Sequence, residues 1–173
     1  PNERLVLVDV RDHLDPAAIE PFKAKTDFIL SDSSELRKTL PGYRDRHHAF
    51  RFIHIDASHG YEETFRELKM ADELLAPLGI HSLAAFPTLD YSQNIAAIFK
   101  YLYPAASDLV MLLATDEKGY LCRKGDFERY ADLLLSRSIA ELRRRDIDAV
   151  LARTAYGPEY KAFHLRGRVS GET

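Results

Sequence analysis

Asp56 and His59 stand three residues apart, directly after the apolar run Phe52-Ile53-His54-Ile55. A histidine titrates near neutrality, so it can take or give a proton at physiological pH. Asp9 and Asp32 also fall at or just past apolar runs, Leu5 to Val10 and Asp27 to Leu30. If those runs are strands, Asp9, Asp32 and Asp56 form a row of carboxylates facing a ligand. A hydrolase could use Asp56 with His59, but no nucleophile motif accompanies the pair. There is no Gly-x-Ser-x-Gly elbow, no Walker loop and no Cys-x-x-Cys.

The other reactive residue types read as structural. His54 alternates with Ile53 and Ile55, which suits a buried, hydrogen-bonded ring. His47 and His48 are adjacent in a charged loop and lack the spacing of a zinc motif. Cys122 lies in an apolar stretch and reads as an inert thiol. Arg143, Arg144 and Arg145 suit the end of a helix, where the dipole favours positive charge.

Composition narrows the classes. The 173 residues fit one domain, with 46% hydrophobic and 29% charged residues. The formal net charge of −3 lacks the basic excess of nucleic-acid binders, so no nucleic-acid partner is expected. No apolar run reaches the ~18 residues of a membrane helix, and no signal peptide is evident. The single cysteine excludes a disulfide framework within the chain and points to a reducing, cytoplasmic setting.

The elements that must position the site follow from periodicity. Strands are expected at Leu5 to Val10, Asp27 to Leu30, Phe50 to Asp56 and Ile80 to Ala85. A further pair, Leu109 to Ala114 and Tyr120 to Arg123, is joined by a hairpin-type turn and reads as antiparallel. Helices are expected at Pro16 to Ala24, Glu35 to Leu40, Tyr61 to Leu75, Tyr91 to Tyr103 and Asp126 to Arg145. The clearest, Tyr61 to Leu75, carries one stripe of Tyr61, Phe65, Leu68, Ala71 and Leu75, and should be ended by Pro77 and Gly79. In the last helix Phe127, Ala131, Leu134, Leu135, Ile139 and Leu142 share one side. Residues 154–173 have weak periodicity and read as a loop or tail beyond a domain of residues 1–153. Alternating strands and helices imply an α/β fold: a Rossmann-like, mainly parallel sheet flanked by helices, with an antiparallel strand pair near the C-terminal end. Such sheets bind ligands beyond the carboxyl ends of their strands.

The stretch Phe52-Ile53-His54-Ile55-Asp56-Ala57-Ser58-His59-Gly60-Tyr61-Glu62, continuing to Leu74-Leu75-Ala76-Pro77-Leu78-Gly79-Ile80, resembles a block of class I S-adenosylmethionine-dependent methyltransferases. The nearest group is methyltransferase family 24, which is O-methyltransferase-like. Asp32-Ser33-Ser34-Glu35 resembles that family's turn after a strand, and Tyr120 to Lys124 its late strand. The resemblance covers roughly Leu5 to Leu135 and implies S-adenosylmethionine as cofactor. It implies Asp9 on the ribose hydroxyls, Asp32 and Ser33 near the adenine, and Asp56 beside the methyl-transfer site. It further implies His59 as general base and Tyr61 against substrate; independently of the resemblance, the loop from Phe86 to Tyr91 offers Phe86 and Tyr91 as further candidates to touch substrate.

The family's glycine-rich loop, which lets backbone approach the cofactor closely, is not in this sequence, so that strand-helix unit is expected upstream. Where relatives carry paired acids after a central strand, this chain reads Ala84-Ala85-Phe86, and no metal site is expected. The expected function is methyl transfer to an oxygen or nitrogen of a small molecule. The alternative is a catalytically inactive methyltransferase-like domain serving as a binding or assembly module. The apolar hairpin and the long last helix could pair with a second copy.

Overall fold

The computed structural model describes residues 3–46, 48–103, 107–145, 149–153 and 162–167. His47 lies outside them, as does most of the expected tail. The chain divides into two compact units, Pro1–Arg46 and His47–Thr173.

In the first unit, β1 (Leu5–Asp9) pairs in parallel with β2 (Thr26–Leu30), from Leu5 opposite Thr26 to Asp9 opposite Leu30. The crossover starts with α1 (Pro16–Ile19), which Asp15 caps by accepting from the Ala17 amide at 2.9 Å. The expected helix to Ala24 continues only as a 3-10 helix, Glu20–Lys25. Pro21 has no N–H to offer the Ala17 carbonyl, so the α ladder stops there. After β2, Asp32 accepts from the Ser34 amide at 2.8 Å and caps a 3-10 turn, Ser33–Glu35, that leads into α2 (Leu36–Thr39).

The second unit holds β3 (Phe50–Ile55), α3 (Tyr61–Leu74), β4 (Leu75–Ala84) and α4 (Ser92–Leu102). They are followed by β5 (Leu109–Ala114), β6 (Lys118–Arg123), α5 (Phe127–Leu133), α6 (Ile139–Arg144), β7 (Ala149–Arg153) and β8 (Phe163–Gly167). The sheet order is β3-β4-β6-β5-β8-β7. β3 and β4 are parallel, as are β5 and β8, while β6 is antiparallel to both β4 and β5, and β7 to β8. The fold is therefore α/β: in the larger sheet β3, β4, β5 and β8 run one way, as expected of a mainly parallel sheet, and β6 and β7 run the other. The expected antiparallel pair is β5 with β6, and β6 is inserted between β4 and β5.

Strand alternation sorts the core into two faces. On one face Leu83, Leu109, Met111 and Leu121 meet Leu68 of α3 and Ile98 of α4. On the other, Leu112, Cys122 and Phe163 meet Phe127 and Ala131 of α5, with the Phe127 and Phe163 rings stacked at 6.2 Å.

Three expectations change in detail. Pro77 and Gly79 follow the end of α3 at Leu74, as expected, but they lie inside the start of β4. The register jumps from Phe50–Leu75 to Phe52–Ile80, so residues 76–79 bulge out of the ladder. Within that bulge Leu78 has φ 57°, and a Cβ on Gly79 would stand 2.8 Å from the Ala76 carbonyl oxygen. Next, the last helix contains a π turn, Leu134–Ser138, between α5 and α6. A π turn holds more residues than an α turn, so the stripe slips, and Leu135 is exposed instead of facing the core. Finally, β8 falls inside the expected tail and pairs with β5 and β7, with Phe163 buried.

Candidate functional site

Chain direction places the chemistry at one end of the larger sheet. β3 ends at Ile55, and Asp56 follows with its side chain 62% exposed. His59 has φ 60°, a left-handed conformation that costs a residue with a Cβ, and it stands just before Gly60, the N-cap of α3. Its Nε2 lies 3.7 Å from Asp56 Oδ1, an ion-pair contact when the ring is protonated. The His59 ring packs on Tyr91 with centroids 4.4 Å apart at 56°. Tyr91 closes the 3-10 turn Leu89–Tyr91 that leads into α4.

Tyr61 begins α3. Its amide donates to Gln93 Oε1 at 3.4 Å, and its ring stacks on Phe65 at 6.2 Å. Asp56, His59, Tyr61 and Tyr91 are thus brought together at the carboxyl end of β3. Gln93 belongs with them and was not legible in the sequence, since its partner is a backbone amide on another helix.

Phe86 departs from expectation. Ala85 leaves β4 with φ 55°, and the next peptide, Phe86–Pro87, is cis. The Phe86 amide donates to the Glu117 carbonyl at 3.1 Å. The Phe86 ring is only 4% exposed and meets Phe99 edge-on at 6.0 Å. It is a core residue holding the end of β4, not a surface against which substrate rests.

In the first unit the expected cofactor residues share one edge of the parallel pair. Asp9 ends β1, and its Oδ1 accepts from the Arg11 amide at 2.9 Å. The Asp9 carbonyl accepts from the Ser31 amide at 2.8 Å, which ties the ends of β1 and β2 together. Asp32 and Ser33 follow β2, where Asp32 is an N-cap and Ser33 opens the turn it caps.

Of the remaining titratable residues, Cys122 is the buried thiol expected, while His54 differs from expectation. His54 is exposed, not buried. β3 is an edge strand, and the face carrying His54 and Phe52 is open there, with Phe52 59% exposed. The buried histidine is His81, on β4: no hydrogen-bond partner meets either ring nitrogen among the described residues. Burial, with a smaller contribution from the charge of His54, pushes its pKa down to about 3. Burial likewise pushes the Cys122 thiol up to about 12, so it stays protonated and unreactive at neutral pH. Among the described residues no group of three or more His, Cys, Asp or Glu is placed to hold a metal ion. No described helix is long and apolar enough to cross a membrane.

The fold is of the methyltransferase type. A solved structure that matches is the apo form of a TDP-rhamnose 3'-O-methyltransferase, an enzyme of calicheamicin biosynthesis. The TM-score is 0.51 at 19% identity, over 71% of this chain and 58% of that one. At that identity the likeness concerns fold alone, and this chain spans well under two thirds of its neighbour. No family model matches the sequence, and no curated protein does.

Proposed function

We propose that this chain is a methyltransferase domain that moves a methyl group from S-adenosylmethionine to an oxygen or nitrogen of a small molecule. The observation that carries the reading is His59: a histidine beside Asp56 and Tyr91, at the carboxyl end of a strand in a methyltransferase-type fold. The bound cofactor supplies a methyl group on a sulfonium sulfur. His59 takes the proton of the attacking hydroxyl, and Asp56 steadies the imidazolium that results. Catalysis comes mainly from holding the two reactants in line, with the base adding to it.

The residues fit the cofactor in chemical type. Asp9 commits Oδ1 to the Arg11 amide and keeps Oδ2 outside that turn, so its carboxylate retains acceptor capacity for a ribose diol. Asp32 and Ser33 are assigned to the adenine end on the resemblance noted above, and Tyr61 and Tyr91 to the acceptor.

Calorimetric titration of this chain with S-adenosylhomocysteine tests the reading. Binding is expected, weakened about tenfold or more by Asp9→Ala, which removes charge-assisted hydrogen bonds. No binding would favour the inactive binding or assembly module. Unchanged kinetics in Asp9→Ala and Asp56→Ala would remove both from their roles.

A further inference from the structure

We infer that Gln93 is a positioning residue for His59: by accepting the Tyr61 amide, it holds the left-handed turn that aims the imidazole. The inference rests on the reading of His59 as proton acceptor and adds what keeps that ring in place.

The turn does not hold itself. His59 has φ 60°, a conformation that a residue with a Cβ adopts only where its surroundings enforce it. The next residue, Gly60, is the N-cap of α3 and has no side chain to bind the first amides of the helix. Tyr61 opens α3, so its amide has no partner within the helix. Gln93 Oε1 supplies the partner at 3.4 Å, from 32 residues away in the chain.

The entry of α4 grips the turn twice. Tyr91 is the N-cap of α4, and its ring packs on the His59 ring with centroids 4.4 Å apart. Gln93 is the second residue of the same helix. The two therefore hold the His59-Gly60-Tyr61 turn from either side of the glycine, one at the ring and one at the amide. Ring packing is tolerant of rotation, whereas a hydrogen bond is directional and fixes the peptide that follows Gly60.

The grip is anchored in the sheet. Asn94 is only 3% exposed, and its Nδ2 donates to the Ala84 carbonyl at 3.3 Å. Ala84 ends β4 and pairs with Lys118 of β6. Asn94 thus ties the first turn of α4 to the sheet, and Gln93 passes that rigidity to residue 59. Without Gln93 the backbone of His59 relaxes, and the imidazole turns from its place 3.7 Å from Asp56 Oδ1. Gln93 is itself exposed, so replacing it leaves the core intact.

The test compares Gln93→Met, which has no acceptor, with Gln93→Glu, which keeps one, by NMR on the full chain. In Gln93→Met the Tyr61 amide should exchange with solvent about five- to tenfold faster, the worth of one ordinary hydrogen bond. The His59 ring protons should lose most of the ring-current shift that Tyr91 imposes, with Tyr91→Leu marking complete loss. The coupling between the amide and α protons of His59, which reports φ, should change with it. Gln93→Glu should recover all three signals. Amides in the interior of α3 should exchange as in the parent. Unchanged His59 signals in Gln93→Met overturn the inference, as does a Gln93→Glu variant that recovers nothing. Faster exchange throughout α3 would make Gln93 a residue of general stability and also overturns it. S-adenosylhomocysteine titration of the parent separates the two readings. A chain whose His59 moves in Gln93→Met but which never takes that nucleoside keeps the positioning role and loses methyl transfer.

Discussion

His59 lays its imidazole against the phenol ring of Tyr91, with centroids 4.4 Å apart. The contact joins the entry of α3 to the entry of α4, two segments far apart in sequence. It also fixes a ring that the left-handed backbone at residue 59 would otherwise aim with little support.

Tyr91 should therefore act as a positioning residue. Its ring, not its hydroxyl, makes the contact with His59. Tyr91→Phe should keep methyl-transfer turnover within about twofold, because aromatic packing survives. Tyr91→Ala should lower kcat by about tenfold while leaving cofactor affinity unchanged. Steady-state kinetics on both variants check this. Equal loss in both would mean that the hydroxyl matters.

A second prediction concerns the opposite end of the sheet. Arg123 at the end of β6 reaches Asp72 Oδ1 at 3.2 Å, the Asp72 carbonyl at 2.7 Å and Asp108 Oδ2 at 2.9 Å. It also meets His48 Nδ1 at 2.9 Å, and Tyr101 donates to the other oxygen of Asp72 at 2.7 Å. The side chains of Arg123 and Asp72 are only 11% and 19% exposed. Removing the guanidinium leaves a mostly buried carboxylate short of its cation, so Arg123→Met should cost about 3 kcal/mol in urea unfolding. Arg123→Lys should recover little, because an ammonium cannot span that set of acceptors. A cost under ~1 kcal/mol would show the network to be solvated.

Gly119 gives a packing test of the site's scaffold. A Cβ there would stand 2.9 Å from Phe86 Cδ1 and 3.3 Å from Phe86 Cγ. The Phe86 ring is buried, and its amide is tied to Glu117, so it has little room to yield. Gly119→Ala should destabilise by about 1–3 kcal/mol, the usual cost of overpacking. Gly125, whose added Cβ would meet nothing within 4 Å, is the control. Equal stability of the two alanine variants would show that Phe86 moves freely.

These cases show what the sequence made legible. The β3–α3 segment was readable because its information is local: an apolar run, an acid at its end, then a stripe at helical spacing. The same local spacing paired Asp56 with His59. Tyr91 and Gln93 meet the site only through the packing of α4 against α3, which no spacing rule reports. The Arg123 network was hidden for a similar reason, since Asp72 lies 51 residues away. β8 escaped because a short strand with His164 and Arg166 has weak alternation, and its partners are also distant. Alternation with Ile53 and Ile55 pointed to a buried His54, but β3 lies at the sheet edge and leaves that ring exposed; the buried histidine is His81, which stands beside Ser82 and carries no such signal.

His81 carries the last prediction, and its sign can be worked out. The ring is fully buried and stays neutral in the folded chain, with its pKa held near about 3 by burial. In the unfolded chain a histidine takes up a proton below about pH 6.5. Between those values the unfolded state binds more protons, so acid favours unfolding. The loss should approach about 1.4 kcal/mol per pH unit as pH falls below ~6. Above pH ~7 both states are neutral and this contribution is flat. His81→Leu removes the titration and the two unpartnered ring nitrogens together. Relieving unsatisfied buried groups is worth roughly 1–3 kcal/mol, so the variant should equal or exceed the parent at pH 7.5. Urea unfolding at pH 7.5, 6 and 5 tests both parts, and the other titrating groups cancel in the difference between the proteins. The gap should widen in favour of the variant as pH falls. Parallel stability curves would show that the ring titrates normally, and a variant weaker at pH 7.5 would show that the ring has a partner.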